Sequence, residues 1–332
     1  MRILLVNPGR KDYIINFFLN IKKKYNLQIY LIDADKFVPS FKVSNKTNNY
    51  ISPKVNDKKK FKIFLRKFIS EKKIDVVFPL SEWELELLAE EKNFYKKKNV
   101  EIVISNLKIM KICKNKVLMS KELLQNNFFS PEIIKFSEIH KKLPVIKKKI
   151  SGSGSKSQSL IFEKWQIPKK LQKEFFFQKY LKDEEYGIDI LNDLNGNYVH
   201  HCCRKKILIR SGDTDKAIIV QRKVFKDFAK KLSSFLKHVG IIDVDLIYKN
   251  NKIFILDINL RIGGGYPFTH LYGYDYIDKI LSIIKNPNKK IMFSEKQKIS
   301  GVVFTKGISI YKHKWVQLIK KKFIFTVLTP NN

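Results

Sequence analysis

Acidic, amide and guanidinium side chains alternate with apolar residues in two neighbouring segments of this 332-residue chain. Asp243 and Asp245 lie in one apolar run, and Asp257, Asn259 and Arg261 lie in the next. Because successive side chains on a β-strand point to opposite faces, the last three share one face if their segment is a strand. Carboxylate and amide oxygens bind Mg²⁺, and arginine binds phosphate, so the pattern predicts a site for magnesium and phosphate.

The connection between the two segments determines whether Asp245 joins Asp257. A two-residue turn at Asn250 and Asn251 would pair position 244 with 257 and place the two carboxylates on opposite faces. A three-residue loop would instead pair Asp245 with Asp257, with their Cβ atoms about 5 Å apart. Any one of these acids alone could belong to a solvated edge hairpin, but unpaired carboxylates are costly to bury within apolar strands.

Two regions of the chain differ in their secondary-structure pattern, and these acidic residues lie in the second. The first hundred residues alternate strand and helix patterns, which predicts a parallel sheet with helices on both faces, as in a Rossmann-like domain. Its first turn carries a single glycine and no G-x-G-x-x-G motif, so no dinucleotide is assigned. From about residue 106 the pattern changes, and Ser151–Ser155 forms a small-residue loop of the kind that can hold phosphate.

The chain is strongly basic, with 66 Lys or Arg against 31 Asp or Glu and a formal net charge of +35. The lysines are scattered through every segment, and no helix-turn-helix, zinc-finger or RRM signature is visible, which favours a solvated surface over a specific nucleic-acid site. Only seven of the basic residues are arginine, and four of these lie between positions 204 and 261. The scarce arginines therefore direct attention to the same region as the alternating acids.

Several segments, taken in chain order, resemble the motifs of ATP-grasp enzymes, specifically the branch similar to the carbamoyl-phosphate synthase large subunit. The resemblance extends over about residues 1–285 and depends on the ordered set, since no single motif is specific. The segments are Asn115-Lys116, Pro144–Lys148 with Ser151–Ser155, Gln178–Leu181, Glu185-Tyr186, Arg204 with Lys206 and Arg210–Gly212, Asp245, and Asp257–Arg261 with the following glycines.

The resemblance implies a role for individual residues. It implies that Asp245, Asp257 and Asn259 bind metal and that Arg261 and Arg204 are catalytic, with Arg261 the better single candidate. Counting from Pro144 makes Lys148 the lysine that matches the family. The residues implied in nucleotide binding are Lys116, Lys148, Ser153, Gly154, Ser155, Gln178, Tyr180, Leu181, Glu185 and Lys206.

Three positions depart from the family pattern. Leu260 replaces the usual proline, and Asp257 replaces the commoner glutamate with a side chain one methylene shorter. Lys179 stands where the family often has a glutamate that accepts from adenine, and a lysine cannot accept, so backbone carbonyls would have to recognise the base.

The resemblance implies an α/β and α+β architecture: a Rossmann-like pre-ATP-grasp domain over 1–105, an ATP-grasp domain over 106–285 and a C-terminal extension over 286–332. The nucleotide and metal would bind between the 106–175 and 176–285 subdomains. The implied cofactors are ATP and one or two Mg²⁺ ions, with Mn²⁺ as a substitute. The implied reaction is an ADP-forming ligation, in which a carboxylate activated as an acyl phosphate is coupled to an amine.

The partners expected from the sequence are therefore a small-molecule carboxylate and an amine. A homodimer and a weak attraction to membrane surfaces stay open. Three cysteines, no apolar stretch of signal-peptide length at the N-terminus and no long apolar run lead us to expect a cytoplasmic protein. The alternative function is a basic protein that binds polyanions or a membrane surface through the lysine-rich stretch Trp315–Phe325, with a degenerate or non-ligating ATP-grasp site.

Overall fold

The fold was examined in a computed structural model, which describes residues 1–43, 45–152, 158–210, 212–287, 291, 293 and 302–313. The described residues form two compact units. The first contains 1–104, 276–287 and 307–313, and the second contains 105–275, 291, 293 and 302–306. None of the helices in these ranges has both the length and the apolar character needed to cross a membrane.

The first unit contains a parallel five-stranded sheet, as its alternating pattern predicts. The strand order is β3-β2-β1-β4-β5, and every pairing is parallel. The strands are β1 (Arg2–Val6), β2 (Gln28–Asp33), β3 (Thr47–Ile51), β4 (Val76–Pro79) and β5 (Glu101–Ile102). The helices between them are α1 (Asp12–Asn20), α2 (Lys22–Tyr25), α3 (Lys58–Lys72) and α4 (Leu85–Lys96). The central strand is wholly apolar from Ile3 to Val6, because helices cover both faces of a parallel sheet.

The second unit begins with two helices and a small antiparallel sheet. The helices are α5 (Leu107–Lys114) and α6 (Lys116–Gln125). The sheet has the order β6-β9-β7-β8. Its strands are β6 (Ile133–Ile134), β7 (Val145–Lys149), β8 (Ser159–Ile161) and β9 (Phe175–Lys179). Val145, Ile161 and Phe177 pack with Ile134 and Ile139 into its apolar core.

A larger antiparallel sheet completes the second unit, in the order β14-β13-β10-β11-β12-β15. Its strands are β10 (Glu185–Asn192), β11 (Tyr198–Arg210), β12 (Asp213–Val220), β13 (Gly240–Lys249), β14 (Lys252–Asn259) and β15 (Val303–Thr305). Helix α7 (Lys223–Leu236) buries Phe225, Ala229 and Leu232. Helix α8 (Tyr266–Leu271) belongs to this unit, whereas α9 (Tyr276–Lys285) belongs to the first.

Candidate active site

Asp245 and Asp257 are directly opposite each other on β13 and β14, but the loop is not the one that the sequence argument required. Lys249 pairs with Lys252 across a two-residue turn, in which Asn250 and Asn251 have φ of 48° and 60°. That turn alone would pair 244 with 257. A bulge shifts the register, because Leu246 pairs with Ile255 while Asp245 pairs with Asp257, which leaves Leu256 as the extra residue.

Lys116 reaches Asp257 from the first turn of α6. Asn115 caps this helix, since its side-chain oxygen accepts from the backbone N–H groups of Val117 and Leu118. The cap fixes the start of the helix, and the backbone N–H of Lys116 donates to the carbonyl of Ile150. The ammonium group of Lys116, which is largely buried, forms an ion pair with Asp257.

Lys148 is the lysine of β7 that the protein buries. The neighbouring Lys147 lies over the ring of Phe175, whereas Lys148 is only 6% exposed and donates to Oε1 of Gln178 at 3.0 Å. Burial lowers the pKa of Lys148 to about 8, although the nearby charge of Asp257 acts in the opposite direction. The site therefore holds an ammonium group that has lost most of its hydration.

Lys206 of β11 lies against the second carboxylate. Its Nζ is 2.6 Å from Oδ1 of Asp245 and 3.3 Å from Oε2 of Glu185. Burial opposes the charge on Lys206, but Asp245 and Glu185 outweigh it and raise the pKa. For Asp245, burial is likewise outweighed by Lys206, and its pKa is lowered. Both groups are therefore charged at neutral pH.

These contacts bring together six of the residues that the sequence singled out. The set is Lys116, Lys148, Glu185, Lys206, Asp245 and Asp257. Lys116 and Lys206 form ion pairs with the two facing carboxylates, and Lys148 lies close enough for the charges of both carboxylates to oppose the lowering of its pKa by burial. This arrangement suits a triphosphate held by ammonium groups beside an oxygen-ligated metal. Within the described parts of the chain, no group of three or more His, Cys, Asp or Glu side chains is placed to hold a metal by itself. Phosphate oxygens and water would have to complete the coordination.

Asn259 is the last residue of β14, and Arg261 lies two residues beyond it in a bend where its N–H donates to the carbonyl of Asn259, so the strand face predicted for three residues includes only Asp257 and Asn259. Asn259 pairs with Asp243, two residues along from the Asp245–Asp257 pair and therefore on the same face. Its side-chain oxygen is 3.5 Å from Nη2 of Arg261, and Nη1 of Arg261 donates to the carbonyl of Ile262 at 3.2 Å. Both side chains are partly buried.

Arg204 lies on the same face of β11 as Lys206 but is 1% exposed. Its Nη1 is 2.7 Å from Oδ2 of Asp189, and its Nη2 forms an ion pair with Asp243. Sequence reasoning did not select Asp189. The signal was present, because Glu185, Gly187 and Asp189 alternate along β10 and share the polar face.

The predicted adenine segment connects β9 with β10. Gln178 is buried beneath Lys148, and its amide nitrogen donates to the carbonyl of Pro131 at 3.0 Å. The backbone N–H of Tyr180 donates to the carbonyl of Pro144 at 3.2 Å, and Leu181 is partly buried. Lys179 donates to the carbonyls of Lys142 and Leu143, so its side chain is held by backbone oxygens. The predicted phosphate-loop residues Ser153, Gly154 and Ser155 lie outside the described residues.

Comparisons with known proteins agree with this architecture. A family model described as an ATP-grasp domain matches residues 113–265, and one described as the PylC-like N-terminal domain matches residues 3–103. A search of curated proteins finds no match to the sequence.

Solved structures share the fold at low sequence identity. The chain is 15% identical to pyruvate carboxylase T882A from Rhizobium etli, with a TM-score of 0.63, covering 82% of this chain and 27% of that one. N5-carboxyaminoimidazole ribonucleotide synthetase from Thermotoga maritima is 15% identical, with a TM-score of 0.63 and coverage of 86% and 76%. L-amino acid ligase from Bacillus licheniformis is 15% identical, with a TM-score of 0.64 and coverage of 86% and 74%.

Proposed function

Because the chain belongs to the ATP-grasp superfamily, we propose that it is an ADP-forming carbon–nitrogen ligase. Its substrates are ATP, a small carboxylic acid and an amine. The observation that carries the proposal is the convergence of Lys116, Lys148 and Lys206 on the facing carboxylates Asp245 and Asp257. The ligases with similar folds support the same reaction class.

The reaction has two steps. An oxygen of the substrate carboxylate attacks the γ-phosphorus of ATP, and the bond between this phosphorus and the oxygen of the β-phosphate breaks. The products of this step are ADP and an acyl phosphate. The amine nitrogen then attacks the acyl carbon, inorganic phosphate leaves, and the amine loses a proton. Phosphoryl transfer depends mainly on alignment and neutralisation of charge, so the protein does not need a nucleophile of its own.

The residues divide this work by position. Lys148, Lys116 and Lys206 exchange their present partners for phosphate oxygens, which stabilises the added negative charge. Arg261 is the proposed catalytic cation, because it lies two residues beyond Asn259, the last of the proposed metal ligands and the last residue of β14. Gln178, Tyr180 and Leu181 line the adenine, and Glu185 accepts from the ribose hydroxyl groups.

The donor set fits magnesium. Asp245, Asp257 and Asn259 offer two carboxylates and an amide oxygen on one face of adjacent strands. Mg²⁺ is usually bound by one or two carboxylates together with substrate phosphates and water, so this set is sufficient. Asp245, Asp257 and Asn259 would hold the ion, which would supply positive charge to neutralise the negative charge that develops during phosphoryl transfer.

Hydroxylamine trapping tests the reaction. A panel of carboxylic acids is incubated with Mg-ATP and hydroxylamine, which replaces the unknown amine, and hydroxamate and ADP are measured. We expect both products with some member of the panel, and neither from Asp257→Ala or Arg261→Ala. Lys205→Gln serves as the matched control, because this partly buried residue lies on the opposite face of β11 from Lys206 and pairs with Glu184.

The controls separate two kinds of failure. Turnover that persists in both alanine variants would contradict the assignment of the site. Tight binding of Mg-ATP with no carboxylate-dependent ADP release across the panel would contradict the ligase activity and favour a nucleotide-binding protein instead.

The proposal includes a cytoplasmic location and the predicted domain boundaries near 105 and 285. A homodimer and weak attraction to membrane surfaces stay predictions from the sequence. The stretch Trp315–Phe325, on which the alternative polyanion-binding function depends, lies outside the described residues.

A further inference from the structure

A buried ion triad lies beside the candidate metal site. The guanidinium of Arg204 bridges Asp189 on β10 and Asp243 on β13, and the hydroxyl of Thr269 on α8 donates to the same oxygen of Asp189. All four residues are at most 7% exposed. A buried charge that contacts only other protein groups in this way stabilises one arrangement of the segments that carry it.

The chain segment after β14 lies directly on this triad. A Cβ atom on Gly265 would be 1.9 Å from Nη2 of Arg204, and one on Gly263 would be 2.3 Å from the carboxylate of Asp243. From the other side, a Cβ on Gly187 would be 2.7 Å from Nη2 of Arg204. The guanidinium is therefore enclosed by backbone, and there is no room between it and the segment that follows Arg261.

The triad is also linked to the metal-facing residues. Asp243 pairs with Asn259 and lies two residues before Asp245 on the same face of β13. Arg204 likewise lies two residues before Lys206, which contacts Asp245. A change in the triad would therefore move the strands that carry the proposed metal ligands.

We propose that Asp189, Arg204 and Asp243 form a positioning site that fixes the segment Asn259–Gly265 for metal binding, and that Arg204 does not contact phosphate. This inference rests on the proposed function for the location of the metal. It replaces the catalytic role that the family resemblance implies for Arg204. The contacts support a positioning role, because Nη1 and Nη2 of Arg204 donate to the carboxylates of Asp189 and Asp243.

The test measures metal and nucleotide binding separately in the full-length protein. Arg204→Lys keeps one positive charge but cannot bridge two carboxylates, so the segment after β14 loses its support. We expect Mn²⁺ affinity, measured by electron paramagnetic resonance with a non-hydrolysable ATP analogue, to fall about tenfold. The affinity for the analogue without metal should stay within about threefold of the wild-type value. Asp189→Asn is the second variant, with a smaller effect in the same direction, and Lys205→Gln is the control.

Each result is decisive. Wild-type Mn²⁺ affinity in a folded Arg204→Lys or Asp189→Asn protein would show that the triad is only structural. A tenfold loss of analogue binding without metal would show that Arg204 contacts the nucleotide. Either result overturns the inference. A wild-type protein that binds Mn²⁺ and the analogue but turns over no carboxylate would contradict the ligase proposal and leave the positioning role intact.

Discussion

The buried ammonium group of Lys148 makes a quantitative prediction about pH. Its pKa is about 8, compared with 10.5 for an ordinary lysine, because burial disfavours the charged form. A bound triphosphate needs the charged form and would restore the pKa toward its ordinary value. Binding of nucleotide should therefore take up a proton between pH 8 and 9.

The size of the effect follows from the titration. About nine tenths of Lys148 is charged at pH 7 and about one tenth at pH 9, so the affinity for ATP should fall about tenfold over this range. Isothermal titration calorimetry in two buffers of different ionisation enthalpy measures both the affinity and the proton uptake. Affinity that stays constant to pH 9, with no proton uptake, would refute the assignment of Lys148 to phosphate.

The same pKa predicts the stability of a variant. Between pH 8 and 10.5, Lys148 binds more protons in the unfolded chain than in the folded one, so stability rises with pH through that window. Below pH 8 the full cost of burying the charged lysine lowers the stability of the fold. At pH 7 the lowered pKa corresponds to an unfavourable contribution of roughly 3 kcal/mol to the free energy of folding. A methionine at this position removes that contribution but loses the hydrogen bond to Gln178, which stabilises the fold by about 1 kcal/mol. Lys148→Met should therefore be about 2 kcal/mol more stable at pH 7 by urea denaturation, and its weakened ATP binding should not depend on pH.

Three further predictions concern packing and burial. Deletion of Leu256 should remove the bulge and leave Asp257 opposite Asp245 in the regular pairing set by the two-residue turn, so metal-dependent ATP binding should persist, and its loss in a protein that still folds by circular dichroism would contradict this reading of the register. Gly263→Ala should lower the free energy of unfolding by about 1–3 kcal/mol, because its Cβ meets Asp243, whereas Gly307→Ala, which meets nothing within 4 Å, should not. Burial raises the pKa of Glu84 to about 7, so wild-type stability should decline relative to Glu84→Gln by roughly 3 kcal/mol as the pH rises from about 4.5 to 7, and a constant difference would contradict this.

Much of the first unit could be predicted from the sequence, with one instructive omission. The parallel sheet is confirmed, because buried parallel strands are continuous apolar runs that can be recognised locally. The sequence does not predict strand β3, since Thr47–Ile51 contains two asparagines, which have low β propensity. Asn49 forms a hydrogen bond to the carbonyl of Phe41, and Thr47 bonds to Asn49. These partners become visible only in the folded chain.

The sequence by itself determined which side chains share a face. Alternation along a strand is fixed by covalent geometry, so the grouping of Asp257 with Asn259 needed no knowledge of the fold, whereas Arg261 lies beyond the end of β14 and the alternation does not place it. The choice of Lys148 over its lysine neighbours follows from the resemblance, and the assigned nucleotide roles stay predictions.

Tertiary structure alone decided the register and the environment of Arg204. The two-residue asparagine turn favoured the wrong pairing, and the bulge at Leu256 corrected it where Ile255 donates its N–H to the carbonyl of Phe129. Arg204 acquired two carboxylate partners from separate strands, and its guanidinium became enclosed by glycines of β10 and of the loop that leads into α8. These features join segments that are distant in the chain, and no local periodicity records which distant groups will meet.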